Sequence, residues 1–279
     1  MNMDFEEMNA LLDYEHAEEV FEKYLDSYDQ TNAKIMLKKI HTYGVVRYAK
    51  EISERMGLGT EDVQLAKLIG LLHDIGRFEQ VARYDSFDRR TMSHAAYGTE
   101  LLFGERMMIR EFLPDERWDR IIRTAIARHS DYSIQDLKDE IYDQNGIRNE
   151  EAYRIYLHSA LIRDADKLDN CRVKIEDRIE VLLGVHAEEA GAQCISDAVW
   201  QDCLEHRSVL SENRVNAVDH WVSYIAYFFD LNFKETWQII EENHYIDRII
   251  ARIPYSCRDT EEKMYQLRDM LTEHNQNIY

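Results

Sequence analysis

The 279-residue chain carries a formal net charge of -20, and 45% of its residues are hydrophobic, enough for a sizeable core. So acidic a balance excludes nucleic acid or an anionic membrane as the main partner, since both need a basic face. With only 2 prolines and 10 glycines, against abundant Leu, Glu, Ala, Arg, Ile and Met, long helices with short connections are expected, and the predicted fold class is all-α.

The first residues, Met1-Asn2-Met3-Asp4-Phe5-Glu6-Glu7, lack the charged-then-apolar pattern of a secretory signal. No apolar run is long enough to span a bilayer, so a cytoplasmic location is expected. Residues 5 to about 28 hold Phe5, Met8, Leu11, Leu12, Val20, Phe21, Tyr24 and Leu25 among many acids, which suits one or two amphipathic helices. The next helix is predicted from Asn32 as N-cap to Met56, stopped by Gly57 and Gly59, with a buried stripe of Ile40/His41, Val45, Tyr48, Ile52 and Met56. His41 therefore points inward.

Thr60 is expected to cap a helix with Glu61 and Asp62 in its first turn and Leu65, Leu68, Ile69 and Leu72 on one face. His73 and Asp74 close that helix, with Gly76 as its C-cap. A carboxylate there is conspicuous, because burying it without a partner costs several kcal/mol or more. A metal ion would compensate it, since imidazole and carboxylate are standard ligands of divalent metals. The connection from Gly76 to Ser93 is dense in charge, with Arg77, Glu79, Arg83, Asp85, Asp88, Arg89 and Arg90.

Ser93 is predicted to cap a helix from His94 to about Phe103, in which Gly98 allows close approach of a neighbour. Pro114 and Asp115 open another, running through Trp118, Ile121, Ile122, Ala125 and Ile126 to His129 at its C-terminal end. Residues 136 to 150 form a polar excursion around Asn145-Gly146. A long helix follows from Glu151 and carries Asp164, Asp166 and Asp169 among apolar residues. The pattern stays helical after residue 175, through an aromatic run of Trp221, Tyr224, Tyr227, Phe228 and Phe229 that is read as core or as a dimer face, and ends in helices near 234–252 and 259–274. No linker or repeat interrupts it, so residues 1–279 are read as a single domain. Cys171, Cys194, Cys203 and Cys257 lack close pairing and are expected as reduced core thiols.

His41, His73, Asp74, His94, His129 and one of Asp164, Asp166 or Asp169 thus form a candidate ligand set on helix faces and ends. A helix C-terminus favours a cation, which suits His73-Asp74 and His129. The order His41, His73-Asp74 and a late aspartate in Ala165-Asp166-Lys167-Leu168 resembles the HD superfamily, an all-α family of metal-dependent phosphohydrolases. The resemblance covers residues 41 to about 170. It implies an HD-domain core at about 32–175 with a C-terminal helical extension at about 176–279, and metal ligands His41, His73, Asp74 and Asp166.

His94-Ala95-Ala96-Tyr97-Gly98 with Leu101-Leu102 further resembles the HDIG-type, six-ligand subgroup, in which His94 and His129 would hold a second metal bridged by Asp74. The Gly-Tyr-Pro that follows the last histidine in cyclic-dinucleotide phosphodiesterases is replaced by Ser130-Asp131-Tyr132. The Glu-Asp pair of ppGpp hydrolases is replaced by Arg77-Phe78. Neither substrate is therefore supported. The function implied is hydrolysis of a phosphate ester or anhydride of a nucleotide or similar small molecule, by water activated on one or two divalent ions (Fe, Mn, Co, Ni or Zn, with Fe or Mn favoured).

Arg77, Arg83, Arg89 and Arg90 are candidate phosphate contacts, because guanidinium forks match phosphate oxygens. Pairing with Asp85, Asp88 and Glu79 is the expectation for at least two of these four. Asp74, Arg77, Glu79 and Lys167 are the candidate catalytic residues: Glu79 as general acid or base, and Lys167 touching substrate or pairing along its helix. Two other readings share the ligands, a mixed-valence di-iron oxygenase and a non-catalytic metal or nucleotide sensor. The expected partner is a small phosphorylated substrate, with a homodimer through the aromatic stripe as a further expectation.

Overall fold

The computed structural model describes residues 12–88 and 90–278, and these are helical apart from connections and one isolated antiparallel bridge, Tyr142–Arg148. None of the described helices is long and apolar enough to cross a membrane. The chain divides into two compact units between Asp166 and Lys167.

In the first unit, α1 (Tyr14–Leu25) starts where the Asp13 side chain accepts the His16 amide, and it buries Val20, Phe21 and Leu25. Phe5, Met8 and Leu11 of the predicted N-terminal stripe lie outside the described residues. Helix α2 (Ala33–Arg55) is capped by Asn32, whose side chain accepts from the amides of Lys34 and Ile35. His41, Val45, Tyr48 and Ile52 are buried as expected, whereas Ile40 is 53% exposed, because the inward face is centred on His41 and Val45. Met56 is half-buried, and Gly57 stops the helix with φ +70°.

Helix α3 (Thr60–Leu72) is capped by Gly59 rather than Thr60, with no side-chain bond; Thr60 begins the first turn beside Glu61 and Asp62. Gly70 lets α3 cross α2 closely, for a Cβ there would lie 3.2 Å from Val46 Cα. The segment after Leu72 departs from expectation. His73 is the C-cap of α3, and Asp74 turns the chain directly into a new helix, α4 (Ile75–Tyr84), in place of an irregular connection. Ile75, Phe78 and Val81 give that helix a buried apolar face. Gly76 is no C-cap: it lies in the first turn of α4, where a Cβ would overlap the His94 carbonyl oxygen and come within 2.8 Å of Gly98 N. The pair Gly76 and Gly98 packs α4 onto α5 (His94–Phe103), which Ser93 caps through the Ala96 amide.

After a short α6 (Ile109–Phe112) comes α7 (Asp119–Arg128), which begins later than predicted because Asp115 makes a turn with the Arg117 amide and buried Trp118 precedes the first helical residue. The polar excursion holds α8 (Gln135–Asp139) and a turn at Gly146 with φ +75°. Helix α9 (Glu150–Glu176) passes from the first unit into the second.

The second unit continues through α10 (Ile179–Leu183), α11 (Ala187–Gly191), α12 (Asp197–Leu204), α13 (Ala217–Ala226), a 3-10 turn at Tyr227–Asp230, α14 (Lys234–Glu242), α15 (Tyr245–Ile250) and α16 (Arg258–Ile278). The helix expected at 234–252 is split at His244, which takes a left-handed conformation with φ +52°. Trp221 and Phe228 are fully buried within the unit, which places the centre of the aromatic run in its core. Cys171 and Cys203 are buried thiols, but Cys194 is exposed and Cys257 half-buried, since both fall in connections rather than on an apolar helix face.

Candidate metal centre

The first unit brings six side chains from five helices to one place. His41 comes from the middle of α2, His73 from the end of α3, Asp74 from the α3–α4 junction, His94 from the first residue of α5, His129 from the C-cap of α7, and Asp166 from α9. They form two groups, His41–His73–Asp166 and Asp74–His94–His129, each with ligand atoms within 4.8 Å of one another. The five residues other than Asp166 are buried, and Asp166 is 26% exposed at its side chain.

Asp74 faces both groups. Its Oδ2 lies 3.9 Å from His41 Nε2 and 3.7 Å from His73 Nε2, and its Oδ1 lies 3.4 Å from His94 Nε2 and 3.7 Å from His129 Nε2. His41 Nε2 is also 3.1 Å from Asp166 Oδ1.

Helix ends set the protonation of two imidazoles. His73 Nδ1 donates to the Gly70 carbonyl at 2.8 Å, and His129 Nδ1 to the Ile126 carbonyl at 2.7 Å, each three residues back in the last helical turn. That assignment leaves Nε2 of both rings as a lone pair aimed into the cluster. His73 Nε2 is buried with no hydrogen-bond partner among the described residues, and burial pulls the His73 pKa down to about 4, so the ring is neutral. His94, also desolvated, falls to about 2. His94 Nε2 lies only 3.1 Å from His129 Nε2, a close approach of two ring nitrogens that a shared cation satisfies. Neutral imidazoles with converging lone pairs beside two carboxylates fit a divalent metal, and these groups could hold one.

Burial opposes the charge on Asp74, yet the Lys38 ammonium foremost, with the Arg77 guanidinium, holds its carboxyl well below the usual range. Burial likewise opposes the charge on Asp166 and is the largest single influence, but the hydrogen bond from His41 and the attraction of the neighbouring imidazoles together hold its carboxyl below the usual range. Both aspartates are therefore ionised and available as ligands.

Around this cluster the predicted substrate and catalytic residues divide. Arg77 touches it, with Nε 3.4 Å from Asp74 Oδ1, but one terminal nitrogen is committed to Gln80 Oε1 at 2.8 Å and the Phe87 carbonyl at 2.9 Å. Gln80 Nε2 in turn donates to the Asp88 carbonyl and Thr91 Oγ1, so the two side chains tie the loop after α4 to its helix. Arg83 pairs with Glu79 at 2.5 Å and Arg90 with Asp88 at 2.5 Å, the acid pairing expected for at least two of the four arginines. Arg89 lies outside the described residues.

Glu79 accepts from Tyr28 Oη on one oxygen and from Arg83 on the other, which engages both atoms that an acid or base would use. In the second unit, Lys167 pairs with the Asp230 carboxylate at 2.7 Å and its carbonyl at 2.8 Å, not with an acid along its own helix. Of the rival aspartates, Asp164 is fully buried and in neither ligand group, and Asp169 is held by Arg172 through two bonds of 2.9 and 3.1 Å.

Three features went unnoticed in the sequence. Lys38 lies one turn before His41, and its Nζ is 2.8 Å from Asp74 Oδ2. The spacing of three residues on one helix was its signal. Arg163 donates to the carbonyls of Arg128, His129 and Asp131, satisfying the C-terminal end of the helix that carries His129. At the other end of α3, Asp62 accepts from His158 at 3.0 Å and Arg154 at 2.7 Å, while Arg154 also holds Glu61. Both ends of α3 thus meet α9, Asp62 at His158 and His73 at Asp166.

The family model of the HD domain matches residues 39–171, a span that contains all six clustered side chains. No match was found among curated proteins or among solved structures. The helical first unit, its paired His73-Asp74 at a helix junction and the family match agree, and residues 39–171 of the chain form an HD domain, the domain of a superfamily of metal-dependent hydrolases.

Proposed function

We propose that the chain is a phosphohydrolase of the HDIG-type, six-ligand branch, cleaving a phosphate ester or anhydride of a nucleotide or similar small molecule with two divalent ions. The observation that carries this reading is the Asp74 carboxylate, which turns Oδ2 toward His41 and His73 and Oδ1 toward His94 and His129. His41, His73 and Asp166 would hold one ion, His94 and His129 the other, with Asp74 shared between them. Iron or manganese suits such a nitrogen and oxygen donor set.

Ions bound there supply Lewis acidity, lowering the pKa of a water and neutralising charge that builds on phosphoryl oxygens. The chain contributes the rest. Burial keeps His73 and His94 neutral, so each retains a lone pair to donate. The i−3 carbonyl bonds of His73 and His129 fix ring orientation without help from the substrate. With two divalent ions in place, positive charge exceeds that of the two carboxylates, and Lys38 and Arg77 add to it. The site therefore selects an anion, in a protein whose overall charge repels one.

The test is elemental analysis of the purified protein, followed by a screen of nucleotides and phosphoesters with added manganese, run with and without oxygen. Metal-dependent phosphate release in the absence of oxygen supports the reading. Turnover that requires oxygen, or a fully metal-loaded protein that releases no phosphate from any substrate, overturns it.

A further inference from the structure

Lys38 is placed where a substrate anion would arrive. It stands on α2 one turn before His41, and its ammonium contacts Asp74 Oδ2, the same oxygen that faces the His41 and His73 ring nitrogens. The Lys38 side chain is 16% exposed, so it joins a buried ligand set to solvent.

Two cations of the chain flank the Asp74 carboxylate, and they differ in how they are held. Arg77 is built in, with its guanidinium bonded to Gln80 and to the Phe87 backbone. Lys38 has Asp74 as its one hydrogen-bond partner among the described residues. Both lean on the Phe87 ring, Lys38 Nζ at 5.4 Å and Arg77 Cζ at 5.9 Å from its centroid. That aromatic face retains an ammonium near the site when its carboxylate partner is taken away.

A divalent ion held by His41, His73 and Asp166 would compete with Lys38 for the Asp74 carboxylate and would repel its charge. A compact ammonium with three rotatable donors on a flexible stem can change partner at little cost, whereas a planar guanidinium fastened through one terminal nitrogen to Gln80 and the Phe87 carbonyl must break both bonds to move. We propose that Lys38 is a partner-exchanging substrate contact: paired with Asp74 in the metal-free protein, it is displaced when the metal binds and takes an anionic oxygen of the incoming phosphate. This rests on the phosphohydrolase reading above and replaces Arg77 by Lys38 as the first chain group to meet the substrate; Arg77 then positions Asp74 and the loop at Phe87.

The experiment uses manganese and inorganic phosphate as probes on the full chain. Isothermal titration of Lys38→Met is expected to show manganese bound at least as tightly as in the wild type, because a competitor has been removed. Phosphate binding to the manganese-loaded variant is expected to weaken roughly tenfold or more, the loss of one charge-assisted hydrogen bond. Unchanged phosphate affinity, or weakened manganese binding with phosphate affinity intact, would mean that Lys38 only supports Asp74, and overturns the proposal.

A second measurement needs no variant. Acylation of the wild type, read by mass spectrometry, should label Lys38 slowly without metal, faster with manganese, and slowly again with manganese plus phosphate. Labelling indifferent to manganese overturns the exchange. If the manganese-loaded wild type does not bind phosphate at all, the phosphohydrolase reading falls and Lys38 with it; wild-type binding that Lys38→Met leaves intact removes the inference about Lys38 alone.

Discussion

Gly76 on α4 lies so close to His94 on α5 that any Cβ at position 76 would overlap the His94 carbonyl oxygen. The neighbours are backbone atoms, including Gly98 N at 2.8 Å, so relief requires one helix to move. Gly76→Ala is therefore expected to cost about 1–3 kcal/mol, the range for overpacking. It should also carry His94 away from His129 and Asp74. Thermal unfolding together with metal content checks this, and an alanine variant with wild-type stability and metal would show that the close packing is dispensable.

Metal stoichiometry tests the shared carboxylate. Asp74→Ala is expected to lose about two equivalents of metal, because one residue serves both groups, whereas His94→Ala or His129→Ala should lose about one. Elemental analysis reads the difference. A variant at Asp74 that keeps its full metal complement would remove the central claim, and unchanged metal in both histidine variants would reduce the site to a single ion. Asp166→Asn should deplete metal far more than Asp164→Asn, since only Asp166 belongs to a ligand group.

Much of this site was legible because its ligands are polar groups on otherwise apolar helix faces or at helix ends. His41 falls on the buried stripe of α2, and His73-Asp74 follows directly on the apolar face of α3. What misled was local: Gly76 read as a helix stop, because a glycine after an apolar run usually marks one, while it makes close contact with the helix that begins at His94. The charged stretch from Arg77 to Arg90 then looked irregular, although Ile75, Phe78 and Val81 already spelled an apolar face. Lys38 was hidden for the opposite reason. A lysine between other lysines suggests solvent, and only the fold brings Asp74 to it.

The clamp at the head of α3 makes stability depend on pH. Burial lowers the pKa of His158 despite its Asp62 partner, so the folded ring stays neutral where an unfolded histidine takes up a proton. Stability from this group is full above about pH 6.5 and falls as the pH drops below it, because the unfolded chain then binds more protons. Asp62, held down to about 2 against burial by His158 and Arg154, adds a second loss that begins as the pH falls below its ordinary value of 3.8. Urea unfolding of metal-free wild type and His158→Gln is the check. The stability gap between them should be widest near neutral pH and narrow as the pH falls through about 6 toward 5. A gap that widens as the pH falls would mean that His158 is already protonated in the fold, and a constant gap would mean that burial leaves its proton affinity unchanged.

Gly70 offers the counterpart to Gly76 and separates the two halves of the site. A Cβ at Gly70 would meet Val46 Cα at 3.2 Å and Val46 N at 3.4 Å, so Gly70→Ala forces α2 and α3 apart by a few tenths of an ångström. His41 rides on α2 and His73 ends α3, so the strain falls on the His41–His73–Asp166 group, whereas Gly76→Ala strains the Asp74–His94–His129 group. Each substitution should cost about 1–3 kcal/mol of stability. In a metal titration that resolves two binding steps, each alanine should weaken a different step and leave the other within a few-fold of the wild type, and adding His129→Ala should erase the step that Gly76→Ala weakens while sparing the one that Gly70→Ala weakens. If both alanines weaken the same step equally, the groups do not act as separate subsites, and Asp74 serves a single ion.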